Sequence, residues 1–71
     1  MGVKGRITEV RGTVVKATSV SGIQMNEMAR VGELGLIGEV VRVEGDNAYI
    51  QVYEFTTGLR PGEPVEGIGS P

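Results

Sequence analysis

The chain predicts an all-β domain, a barrel or sandwich of short strands, and three observations carry that expectation. Twelve of the 71 residues are glycine, scattered through the chain rather than gathered into a linker, and glycines set between short Val/Ile runs mark turns and bulges. Apolar residues recur with a period of two in several segments, the period of a strand with one buried face. Clusters of turn-forming residues separate these segments at short intervals. The length leaves room for one domain, residues 1–71, with a thin core, because at this size apolar burial barely offsets the roughly 1.5 kcal/mol per residue that ordering costs.

In "VKGRITEV", Val3, Gly5 and Ile7 fall on one side of an extended strand and Lys4, Arg6 and Thr8 on the other. The alternation slips at Glu9-Val10, so a bend or bulge is expected near Glu9 to Gly12, leading to a second strand over Thr13 to Ala17. "TSVSG", residues 18–22, is small and polar and reads as a loop. "IQMNEMARV" has methionines at helical spacing but is short and uncapped, and reads as a loop running into a short strand, with Met25 and Met28 as packing fillers.

From Leu34 to Val43 the apolar residues come in doublets that suit a helix or a strand, and the glycines with the β-branched content decide for strand. Such a strand is apolar on both faces, with Leu34, Leu36 and Val40 on one and Ile37, Val41 and Val43 on the other. A barrel has one inside, so the second face needs cover from a loop of the same chain or from another subunit. "EGDN", residues 44–47, is a hairpin turn. The returning strand alternates cleanly, with Ala48, Ile50 and Val52 inward and Tyr49, Gln51 and Tyr53 outward. "TTGLRPGEP" is a loop with a type II turn at Pro61-Gly62, and Val65 to Ile68 forms a last strand. Five or six short strands fit a small closed or nearly closed barrel.

The sequence contains neither histidine nor cysteine, which removes the usual general base, the thiol nucleophile and most transition-metal sites. The remaining candidates for a carboxylate pair, Glu39, Glu44, Asp46 and Glu54, sit in no recognisable motif and read as solvated turn and wall residues. The glycines of "GELGLIG" lie on or beside a strand with no lysine nearby, unlike a phosphate cradle between strand and helix. Arg60 and Thr56-Thr57 read first as turn residues. Seven basic and nine acidic residues, neither clustered, give a net charge of −2 and no electrostatic footprint for nucleic acid. No apolar run approaches a membrane span, and Met1-Gly2 lacks the downstream Ser/Thr of a myristoylation site, having Arg6 instead.

"GRITEVRGTVV", "MARVGELGLIGEVVRVEGDNAYIQVYE" and "TTGLRPGEPVEGIG" together resemble the N-terminal segment of the catalytic A subunit of A-type and vacuolar-type rotary ATPases, over nearly the whole chain. The resemblance implies a small closed six-stranded Greek-key barrel at the head of a longer subunit. It implies a place in a crown where the barrels of A and B subunits alternate, in a cytoplasmic complex peripheral to the membrane that couples ATP to ion transport. ATP and Mg would bind in a separate central domain through a P-loop, so this segment carries no cofactor and no catalytic residue of its own. The family usually has Pro where this chain has Thr13, a small residue for Arg11, Tyr for Asn26 and an acid for Phe55, departures that bear on loop conformation and contacts more than on fold.

The expected contact surface is Ile37, Val41 and Val43 together with the outward Tyr49 and Tyr53. The rival from another class is an oligonucleotide-binding barrel on which Tyr49 and Tyr53 stack bases. The negative net charge and the presence of only three aromatic residues weigh against it.

Overall fold

The computed structural model describes residues 4–69, and among them every regular element is a strand. The order is β1 (Lys4–Arg11), β2 (Val14–Thr18), β3 (Met28–Val31), β4 (Leu36–Glu44), β5 (Asn47–Val52) and β6 (Pro64–Gly67). All neighbours are antiparallel and the sheet closes on itself as β1-β2-β5-β4-β3-β6. Hairpins join β1 to β2, β3 to β4 and β4 to β5, while the β2–β3 and β5–β6 connections leave one side of the barrel for another, which gives the Greek-key character. Closure leaves none of these strands with an unpaired edge.

The local chemistry of the turns explains where the strands reverse. β4 and β5 meet through Gly45-Asp46, with Glu44 opposite Asn47 and φ of +62° at Gly45, the positive first central position of a type II′ hairpin. In the long connection, the Glu63 N–H donates to the Arg60 carbonyl (3.2 Å) and Gly62 has φ of +94°, as expected for a type II turn with Pro61 leading.

The core is entirely apolar among the described residues, formed by Ile7, Val15, Ala17, Val31, Val40, Ile50, Val52, Val65 and their neighbours. The alternation expected for β5 is present, with Ala48, Ile50 and Val52 buried. β1 alternates likewise from Lys4 to Thr8; Val3 lies outside the described residues. The register shift of β1 falls between Ile7 and Glu9, just ahead of the expected stretch, and β2 begins at Val14, leaving Thr13 in the turn.

Three expectations are corrected. Leu34 is not an inward strand residue: it sits in the β3–β4 turn, 75% exposed, because β4 begins only at Leu36. Val43 is not on the outer face with Val41. A bulge between Val40 and Arg42 inserts one extra residue, so Val43 comes opposite Ala48 and packs against the core. Met25 is half exposed rather than a packing filler, and three residues of loop sequence, Val20, Ile23 and Leu59, fill the core instead.

Candidate functional site

The outer wall of the β4–β5 hairpin gathers four of the five residues expected at a contact surface. Ile37 faces out beside Arg30 of β3, and its carbonyl accepts the Tyr53 N–H at 3.1 Å. Tyr53 donates its hydroxyl to Glu39 Oε1 at 3.1 Å. Desolvation against the wall, with the hydrogen bond and negative charge of Glu39, raises this phenol above its ordinary pKa. Val41 occupies the bulge and is 45% exposed. Tyr49, opposite both Lys16 and Arg42, has Lys16 Nζ 5.8 Å and Arg42 Cζ 5.5 Å from its ring centroid, within cation–π range. Val43 is the exception, turned inward as described above.

The charged neighbours are largely paired. Arg11 donates to Glu9 at 2.8 Å and Arg42 donates to Glu44. A base stacking on Tyr49 would meet a ring already faced by two cations, and one approaching Tyr53 would meet the carboxylate of Glu39.

The candidate carboxylates do not converge. Asp46 and Glu54 lie beyond opposite ends of β5, Glu44 closes β4 against Asn47, and Glu39 is engaged by Tyr53. Among the described residues there is no cluster of acidic side chains arranged to hold a metal ion and no buried polar or charged residue. Gly32 and Gly35 of "GELGLIG" bound a four-residue hairpin loop, with the Gly35 N–H donating to the Gly32 carbonyl at 3.0 Å, and the chain continues as strand β4, which contains Gly38, rather than as helix. Arg60 is exposed at the head of the type II turn, and the Thr56 hydroxyl donates to the Gly12 carbonyl, tying the β5–β6 loop to the β1–β2 turn.

A second surface was not legible in the sequence. Thr13, Leu34, Leu36, Val52, Tyr53, Glu54 and Phe55 line an open groove of about 550 Å³, at the pole where β1, β3 and β5 end. Phe55 is 91% exposed and Leu34 stands across from it on the β3–β4 turn. Its lining comes from three turns distant in sequence, so no local pattern announces it; the departure at Phe55 was the only available signal.

The model of the ATP synthase alpha/beta family, beta-barrel domain, matches residues 7–69. The chain belongs to that family. Within it, the chain is similar to the A subunit of the A-type ATP synthase of Hyperthermus butylicus, 68% identical over 71 residues, all of this chain and 12% of that protein. It is also similar to the corresponding A subunit of Ignicoccus hospitalis, 59% identical over 71 residues and again 12% of that protein. That of Thermococcus kodakarensis is 62% identical over 66 residues, 93% of this chain and 11% of that protein. The chain therefore spans about an eighth of the length of these relatives and corresponds to the β-barrel domain of an A-type ATP synthase A subunit. None of the described residues forms a helix long and apolar enough to cross a membrane.

Proposed function

We propose that this barrel is an assembly module: it joins the A subunit of an A-type ATP synthase to the barrels of neighbouring A and B subunits in a ring, and it performs no catalysis itself. The observation that supports this most directly is the apolar and aromatic stripe Ile37, Val41, Tyr49 and Tyr53 on the outer wall of a closed barrel, in a chain of the ATP synthase beta-barrel family. A closed barrel offers no sheet edge for pairing, so side chains on its wall must supply the contact. In this reading ATP and Mg bind elsewhere in the parent subunit, in a cytoplasmic complex at the membrane periphery, and coupling to ion transport belongs to that complex.

Val41→Glu in a full-length A subunit that carries this barrel tests the surface. The bulge is exposed, so the substitution leaves the barrel folded. Native mass spectrometry of the variant mixed with B subunits is expected to show loss of the alternating hexamer; an undiminished hexamer rejects this wall as the contact. The absence of catalysis is tested separately by incubating the 71-residue chain with Mg-ATP. Phosphate release is expected to stay at the buffer blank, and steady release above it would overturn the assignment.

A further inference from the structure

The pairing of β6 with β3 runs on to Ile68, whose N–H donates to the Met28 carbonyl at 2.9 Å. The next donor in the chain goes to a side chain instead. At Gly69 the backbone turns, with φ of +83°, and the Gly69 N–H donates to Glu27 Oε2 at 2.8 Å. Oε1 of the same carboxylate accepts the Gln24 N–H at 3.1 Å. We propose that Glu27 is a clasp for the outgoing chain: the two oxygens of one carboxylate tie Gly69 to the β2–β3 connection and so fix the direction in which the chain leaves the barrel.

Three further observations support the clasp. Its base is rigid, because the Glu27 N–H donates to the Gln24 carbonyl at 3.2 Å and the Glu27 carbonyl accepts the N–H of buried Val40 on β4 at 2.9 Å. Its space is reserved: a Cβ on buried Gly67 would lie 2.5 Å from Glu27 Oε2 and 3.3 Å from its Cδ, so only glycine lets the carboxylate lie over β6. Its charge is committed to the backbone, since the ion pairs among the described residues are Arg11 with Glu9 and Arg42 with Glu44. A carboxylate that accepts two N–H groups forms charge-assisted bonds with both, which an amide, with one acceptor oxygen, cannot copy. In a longer subunit, a chain continuing past Gly69 sets out in the direction that the clasp imposes.

This inference does not rest on the ring-assembly reading, since Glu27, Gly67 and Gly69 lie outside the β4–β5 stripe. Glu27→Ala in the ¹⁵N-labelled chain should keep the circular dichroism spectrum of the barrel. Its Gly69 amide should exchange with solvent roughly tenfold faster or more, the scale of one lost hydrogen bond to a charged acceptor. The residual dipolar coupling of the Gly69 N–H, which fits the alignment of the barrel in the parent, should fall toward zero. Gly67→Ala should release Gly69 in the same way with Glu27 still present, because the flexible carboxylate gives way before the backbone does. Glu27→Gln, with one acceptor oxygen, should release either Gly69 or Gln24 and hold the other. A Gly69 amide as protected and as ordered in Glu27→Ala or Gly67→Ala as in the parent would overturn the proposal, as would a Glu27→Gln variant that holds both amides. Loss of the barrel's spectrum in Glu27→Ala would also overturn it, by assigning Glu27 to the fold rather than to the exit.

Discussion

Gly38→Val is expected to remove a large part of the barrel's stability. Gly38 faces inward on β4 between Ala29 of β3 and Val52 of β5, and both of those neighbours are buried. A Cβ at this position would lie 2.7 Å from the Gln51 carbonyl oxygen and 2.7 Å from Ile50 Cγ2. The isoleucine tip has some freedom; the carbonyl does not, because Gln51 is held in the ladder between β2 and β4. Overpacking a well-filled core costs about 1–3 kcal/mol and sometimes more, and an obstruction set by backbone belongs at the upper end. Small domains have a total stability near the bottom of the usual range of about 5–15 kcal/mol. Urea denaturation followed by circular dichroism should show a large fall in the midpoint, with Gly38→Ala falling in the same direction by less. A valine variant with the parent midpoint would mean that β4 can shift away from β5, and that the closed register is looser than described.

The second large effect is expected at Ile50. Its side chain is fully buried at the middle of β5, opposite Val15 on one side and Val40 on the other, both also fully buried. Ile50→Ala removes several methyl and methylene groups from the centre of a closed wall, and the surrounding strands cannot collapse inward without breaking ladder hydrogen bonds. The cost is about 2–5 kcal/mol, against about 0.5–1.5 kcal/mol for Ile50→Val. Thermal and urea unfolding of the two variants should therefore rank parent, valine, alanine with clear separation, the denaturant slope staying constant if only the native state has lost packing. Equal midpoints for parent and alanine would place the core elsewhere.

The parts of this fold that were legible in the sequence are those governed by neighbouring residues. β5 alternates from Ala48 to Val52 because one face meets the core and the other meets solvent, and Gly45 and Gly62 take the positive φ that their turns demand. What was not legible is set by closure of the barrel. The bulge at Val41 follows from the curvature β4 needs to meet β5, and it reverses Val43 without leaving a mark in the apolar pattern. Val20 lies in a stretch that looks polar, yet its N–H donates to the Asp46 carbonyl at 2.9 Å, and the loop so anchored carries its side chain into the core. The outward placement of Ile37, Val41, Tyr49 and Tyr53 was readable, since all four lie on or directly beside one hairpin, and only Val43 was misplaced. The groove at the pole was not, since Thr13, Leu34 and Phe55 meet only once the turns are brought together.

The adjacency of Lys4 and Glu66 on paired strands gives the molecule the layout of a cassette. An entering and a departing strand that run side by side can be spliced into a surface turn of an unrelated host with short linkers and little strain. Joining the two ends directly and reopening the chain at Gly45-Asp46, an exposed hairpin tip, would likewise preserve every ladder except the turn that is cut. For a wall made of six short strands, the order in which they are read along the chain matters less than the ring they complete.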